Sequence, residues 1–180
     1  MDGDERSIGS VDVESEAPFP VVRYTPVAVV RSPFRTLDGM PLQSVAAPDV
    51  LAQVEVRPEL EPGLRDLDGF SHLHLITHLH RGRPGGLEVV PFLDDSKRGV
   101  FATRSPRHPN PLGLSVVRLL GVTGSVLQIR GVDLLDGTPV LDIKPYVPMF
   151  DCVAAERTGW LASVAERVHQ IRADRRFDDP

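Results

Sequence analysis

Two segments hold the residues best suited to chemistry. Asp142, Lys144 and Tyr146 stand two apart in the run Val140 to Tyr146, so on a regular strand they share one face. A carboxylate, an ammonium and a phenol on one surface can take a proton, hold an anion and stack on or hydrogen-bond a ring. Asp and Lys two apart also form ordinary surface ion pairs, so the face is a candidate rather than a signature. The second segment is Arg104-Ser-Pro-Arg-His-Pro-Asn-Pro-Leu-Gly113, where prolines at 106, 109 and 111 fix φ in a loop that carries Arg104, Arg107, His108 and Asn110. Such a loop suits an anionic ligand. Histidines 72, 74, 78 and 80 alternate with Leu73, Leu75 and Leu79, which invites a metal reading. Neighbours two apart on a strand are about 6.5–7 Å apart, too far for four to converge on one ion, and no metal site is expected. Cys152 has no activating neighbour, and the closeness of Ser105 and Ser115 to His108 in sequence does not make a triad.

These side chains need strands to hold them. Pro26 to Arg31 is a β-branched run, and Ala52 to Arg57 alternates Val54 and Val56 with polar residues. Phe70 to Arg81 reads as a third strand, whose period of two puts all four histidines on one side and Leu73, Leu75 and Leu79 on the other. Leu87 to Leu93 reads as an edge or bulged strand because of Pro91, and Gly99 to Thr103 as a short strand. Leu114 to Val122 and Val126 to Leu134 flank Thr123-Gly124-Ser125 and read as a hairpin, while Asp136-Gly137 marks a tight turn before Val140. Pro62 to Phe70 is turn-rich. Strand follows strand without a strong helix between, which predicts an all-β fold, a single-sheet antiparallel barrel. Near the end, Trp160, Leu161, Val164, Val168 and Ile171 recur at helical spacing and predict a C-terminal amphipathic helix packed on the barrel. The expected organisation is a disordered acidic arm over 1–24, the barrel over 25–151, and the helix and tail over 152–180.

The chain of 180 residues is long enough for a core without disulfides, and its lone cysteine fits a reducing, cytoplasmic setting. No apolar run approaches a membrane span, so no membrane partner is expected. The formal charge of −5 is unevenly placed: residues 1–17 hold six carboxylates against Arg6. Lys97 to Arg118, by contrast, carries Lys97, Arg98, Arg104, Arg107 and Arg118 with no carboxylate, the footprint of an anionic partner unless acids elsewhere pair with it. Glycine-rich dinucleotide loops, a P-loop and a Gly-x-Ser-x-Gly elbow are absent. Residue chemistry alone reaches a barrel with an anion-friendly loop and a polar strand face, without naming a reaction.

Five segments then carry a resemblance: Val30-Arg-Ser-Pro-Phe34, Gly69-Phe-Ser-His-Leu73, Gly99-Val-Phe-Ala-Thr-Arg-Ser-Pro-Arg107, Pro109-Asn-Pro-Leu-Gly-Leu-Ser115 and Asp133-Leu-Leu-Asp-Gly-Thr-Pro-Val-Leu-Asp-Ile-Lys-Pro-Tyr146. Spread over residues 26 to 151, they resemble the TsaA-like, or TrmO, family of S-adenosylmethionine-dependent methyltransferases. The resemblance implies a homodimeric single-sheet barrel that binds S-adenosyl-L-methionine near the subunit interface. It also implies N6-methylation of threonylcarbamoyladenosine at position 37 of tRNA. The cofactor contacts it implies are Pro41, Leu42, Gln43, His80, Arg81, Arg104, Leu114, Asp133, Leu134, Leu135 and Asp136. Arg107, His108 and Asn110 are the expected substrate contacts, and Asp142, Lys144 and Tyr146 the expected catalytic group. Two places depart from the family: Met40-Pro-Leu-Gln43 stands where Pro-Arg-Gln is common, and His108 where many relatives have Arg. His72 and His80 belong to the pattern, but His74 and His78 do not. Longer relatives carry a further C-terminal domain that is not expected here, leaving RNA binding to the barrel, the dimer or another factor. Methylation of a small molecule or peptide on the same scaffold is the alternative, and a non-enzymatic nucleoside- or metal-binding module the third.

Overall fold

The computed structural model describes residues 19–177. Six strands close a barrel: β1 (Ala28–Arg31), β2 (Leu51–Val56), β3 (His72–His78), β6 (Leu112–Thr123), β7 (Val126–Arg130) and β8 (Pro139–Pro145). Their order is β1-β2-β7-β6-β3-β8, with β8 returning to β1 and every pair antiparallel. The expected all-β barrel is therefore what forms. β4 (Glu88–Val89) and β5 (Arg98–Gly99) make a separate two-stranded ribbon. The acidic residues up to 18 lie outside the described part of the chain, as do residues 178–180.

The period of two decides what is inside. Val30, Val54, Leu73, Leu75, Leu127, Ile129 and Val140 have no exposed surface, and each alternates with a residue on the outer wall. Fully burying one such side chain stabilises the fold by about 1.5–3 kcal/mol, so the alternation also fixes the register. β8 is irregular: a shift opposite Ile76 and Thr77 leaves Leu141 without a partner and lets one strand pair first with β1 and then with β3. The turn before it closes through Thr138 N–H to Leu135 O at 3.2 Å, with Gly137 at φ +77°, where a side chain would strain the backbone.

Several expectations differ in detail. Gly99 to Thr103 is a strand only at its start, because Val100–Ala102 turns into a 3-10 helix. β3 ends at His78, so His80 sits in the following turn rather than beside His72, His74 and His78.

The C-terminal amphipathic helix does not form. Gly159–Ser163, Ala165–His169 and Arg175–Phe177 are separate 3-10 turns, and Val164 between the first two, at φ −131° and ψ −6°, is outside the helical region. A lone helix this short cannot hold itself in water. Here the barrel's loops supply better partners: Trp160 Nε1 donates to Ala102 O at 2.8 Å, and Gly39 N and Ala173 N donate to Ala173 O and Met40 O, each at 2.8 Å. No residue of the two longer turns is buried, so the apolar stripe has no deep groove to fill. No described helix is long and apolar enough to cross a membrane.

One close approach fixes the mouth of the barrel. Gly113 of β6 faces Thr77 of β3, and a Cβ there would meet Thr77 Oγ1 and, at 2.9 Å, Leu79 Cδ2. Gly113→Ala should therefore destabilise the protein by about 1–3 kcal/mol, visible as a lower urea midpoint at unchanged slope.

Candidate functional site

Four separate stretches converge on one carboxylate. Asp133, in the connection from β7 to β8, accepts a hydrogen bond on Oδ1 from Ser115 Oγ of β6 at 2.7 Å and another from the backbone N–H of Ser44. Arg104 of the proline-stiffened loop lies close enough to act on it electrostatically, and its Nη1 donates to Gln43 Oε1 at 2.8 Å. Gln43 Nε2 in turn donates to Leu42 O at 2.7 Å. Although the residue keeps a partial opening to solvent, protein surrounds its carboxylate. Desolvation pushes the acid above the ordinary carboxylate range, against the Ser115 hydroxyl, the backbone N–H groups and the Arg104 charge, which all pull it down. The loop with Pro41 to Gln43, the arginine loop and the Asp133 connection thus meet at one end of the barrel.

The rest of that connection is structural. Leu134 and Leu135 are buried. Asp136 turns to the loop after β1, accepting from Ser32 N on Oδ1 at 3.2 Å and pairing through Oδ2 with Arg35. Ser32 Oγ donates to Leu134 O at 2.7 Å. Beyond β3, the turn with His80 and Arg81 packs on the arginine loop, since Leu79 N donates to Pro111 O at 2.7 Å and Gly85 N to Arg107 O at 3.1 Å. Partial burial first, then the charges of Arg81 and His78, hold His80 below the usual histidine value. His80 is therefore neutral at pH 7 and keeps one ring nitrogen as an acceptor. His108 Nε2 contacts Thr103 O at 3.1 Å, and its ring meets Phe101 edge to face at 5.7 Å.

Asp142, Lys144 and Tyr146 share a face as the spacing demands. Lys144 Nζ lies 2.7 Å from Asp142 Oδ2, and Ile143 N donates to Asp142 Oδ1 at 2.9 Å. The hydrogen bond and charge of Asp142 raise Lys144 above the ordinary lysine value, so it stays charged. Pairing puts Asp142 opposite Ile76 and Ile76 opposite Leu114, which sets all three on the outer wall, whereas Ser115 points inward toward Asp133. Among the described residues no hydrogen bond or ion pair joins this face to the Asp133 cluster.

Two participants carry no obvious sequence signal. Ser44 acts through its backbone. Asp151 approaches His74 at 3.3 Å, and the His74 ring lies 5.3 Å from that of Tyr146. Ser115 was detectable as the one polar residue at an inward position of its strand. No three His, Cys, Asp or Glu residues among those described are grouped to hold a metal ion.

The model of the tRNA-methyltransferase O N-terminal domain matches residues 29–152, well over half of the chain. The chain belongs to this family. A probable S-adenosyl-L-methionine-binding protein of Pyrococcus abyssi is 48% identical over 157 residues, covering 87% of this chain and 85% of the relative. The tRNA (adenine(37)-N6)-methyltransferase of Mus musculus is 33% identical over 160 residues, 85% of this chain but 36% of that enzyme. A crystal structure of TrmO from Pseudomonas aeruginosa aligns with a TM-score of 0.68 at 37% identity, over 81% of this chain and 63% of that one. The tRNA-methyltransferase O match contains both the Asp133 cluster and the Asp142 face, and ends before the tail that docks on Pro41.

A folded-state acid raised above its unfolded value costs stability that is absent at low pH and grows as pH rises through the ordinary carboxylate range. Asp133→Asn removes that cost and leaves an acceptor for Ser115. Thermal unfolding should show the variant more stable at pH 7, with the difference closing below about pH 4, the ordinary carboxylate value.

Proposed function

We propose that the chain is an S-adenosyl-L-methionine-dependent methyltransferase acting on N6 of threonylcarbamoyladenosine at position 37 of tRNA. The observation that carries this reading is the Asp133 cluster inside a tRNA-methyltransferase O domain. S-Adenosyl-L-methionine has a carboxylate and two cationic groups, the ammonium and the sulfonium. A desolvated carboxylate beside an arginine is the complementary donor set. Arg104, with Gln43 orienting it, would hold the ligand's carboxylate, and Asp133 its ammonium or ribose hydroxyls. The relatives' names point the same way: S-adenosyl-L-methionine binding in the archaeal protein and tRNA adenine-37 N6 methylation in the mouse enzyme.

When bound, the cofactor supplies a methyl group activated by its positive sulfur. This chain's residues must place the acceptor nitrogen in line and accept its proton. N6 of the modified base is amide-like, with a delocalised lone pair, so a carboxylate that removes the N6 proton as the nitrogen is alkylated lowers the barrier. Asp142 fits that role once Lys144 turns to the anionic carboxylate of the substrate's threonyl arm and releases Oδ2. Tyr146 stacks on or hydrogen-bonds the base, and Arg107, His108 and Asn110 hold the flanking RNA.

The reading includes a cytoplasmic homodimer. Leu112 and Leu114 are 52% and 57% exposed on the outer wall, and Met149 and Phe150 beside it are 88% and 74% exposed, apolar area that a second copy would cover. A partner's outer wall could then face the Asp133 cluster. The cytoplasmic address rests on a single cysteine, which cannot form a disulfide within the chain.

Mass spectrometry of tRNA nucleosides from a deletion strain should show loss of the methylated modified adenosine; its persistence would move the acceptor to a small molecule or peptide. Asp142→Asn should lower kcat about 100-fold while the calorimetric Kd for S-adenosyl-L-methionine stays unchanged. An unchanged kcat removes Asp142 from the mechanism.

A further inference from the structure

Next to the arginine loop lies an open cleft of about 580 Å³, of whose lining only Arg107 has a part in the chemistry above. Its walls come from distant parts of the chain: Glu88 of β4, Asp95 and Lys97 before β5, Arg107 of the proline loop, and Arg176 with Phe177 of the tail. The volume falls within the range of about 300–1,000 Å³ typical of ligand sites. Arg176 is already paired with Asp174, whereas Lys97 makes no ion pair among the described residues and is the cation the cleft has to offer.

The aromatic ring is equally specific. Phe177 stands edge-on to Phe92 with centroids 4.8 Å apart, and the Arg107 guanidinium lies 5.6 Å from the Phe177 ring centre. Phe177 is only partly buried, so ring area remains for the cleft. A free cation beside an anchored aromatic ring and a guanidinium plane offers both of the contacts made to one nucleotide of single-stranded RNA, charge for the phosphate and a flat surface for the base. The cleft is open, as a polymer running through it requires. Arg107 belongs to the same proline-stiffened loop as Arg104, so one loop contributes a side chain to the cleft and another to the Asp133 end of the barrel.

We propose that this cleft is an RNA subsite that takes a nucleotide flanking the methylated adenosine, with its phosphate on Lys97 and its base against Phe177 and Arg107. The proposal rests on the tRNA reading above and adds the place where a chain spanning 36% of the mouse enzyme would hold RNA outside the transfer site. Glu88 and Asp95 in the same lining disfavour a second phosphate and can accept hydrogen bonds from a base amino group.

The test uses the full chain and tRNA bearing threonylcarbamoyladenosine, with Kd measured across a potassium chloride series. Lys97 is exposed, so Lys97→Glu leaves the fold intact. It should weaken tRNA binding about tenfold at 0.1 M salt and reduce the slope of log K against log salt by about 1. Phe177→Leu keeps the apolar contact with Phe92 but removes the ring face, and should weaken binding about fivefold with the slope unchanged. Both should raise KM for tRNA while leaving kcat at saturation and the affinity for S-adenosyl-L-methionine at wild-type values. If the wild type methylates tRNA and both variants bind it as the wild type does, the cleft is no RNA subsite and the methyltransferase reading stands. If the wild type takes up S-adenosyl-L-methionine but neither binds nor methylates tRNA, the tRNA reading fails and the subsite with it.

Discussion

Both candidate groups hang on one stretch of chain, and that stretch also closes the barrel. β8 pairs with β1 through Pro139 and Val140 and with β3 from Val140 to Pro145, so it is the strand that completes the cylinder. Just upstream, Asp133 reaches the cluster with Ser115, and Asp136 fastens to Ser32 and Arg35. Just downstream, Asp142 and Lys144 pair on the outer wall. A shift of one residue in β8 would move Val140 out of the core and swing Asp142 inward, where an ion is costly to bury. Burial of Val140 therefore protects the register of the polar face as well as the fold.

Asp133 is the least comfortable group in this arrangement. A carboxylate held above its ordinary value even with a hydroxyl, backbone N–H groups and a guanidinium nearby does not serve stability. An amide or a hydroxyl could satisfy Ser115 without the desolvation cost. Its position is intelligible when a ligand supplies the missing positive charge, because the same low-dielectric surroundings that penalise the empty carboxylate strengthen its attraction to a bound cation. Charged groups kept at a cost are what binding sites have in common.

Most of the barrel was legible in the sequence because a period of two has one physical meaning. The runs around Val54, Leu73 and Leu127 could bury only one set of side chains. The common face of Asp142, Lys144 and Tyr146 followed from the same rule. Helical spacing in the tail was less binding: Trp160, Leu161, Val164, Val168 and Ile171 satisfy the pattern, yet hydrogen bonds from loops far away in sequence outweigh it. Turn-by-turn contacts such as Trp160 to Ala102 leave no periodic trace. The convergence on Asp133 was legible only through family resemblance, since Gln43, Arg104, Ser115 and Asp133 meet through topology. Their spacing in the chain says nothing about it, and the role of the Ser44 backbone has no side-chain signature at all.

The tail shows why a missed helix need not be a lost function. The loop carrying Pro41, Leu42 and Gln43 belongs to no sheet, and a loop without partners samples many conformations before it can hold a ligand. Arg172 bridges to Pro41, Arg172 Nη1 donates to Ala46 O at 3.3 Å, and Met40 and Gly39 bond to Ala173. An extended strap can make such backbone contacts, whereas a helix uses its own N–H and C=O groups internally and has few to offer. Because the tail is not helical at Arg172 and Ala173, their backbone groups are available for the strap, and the strap narrows the conformations open to Gln43, the side chain that orients Arg104 toward the cluster.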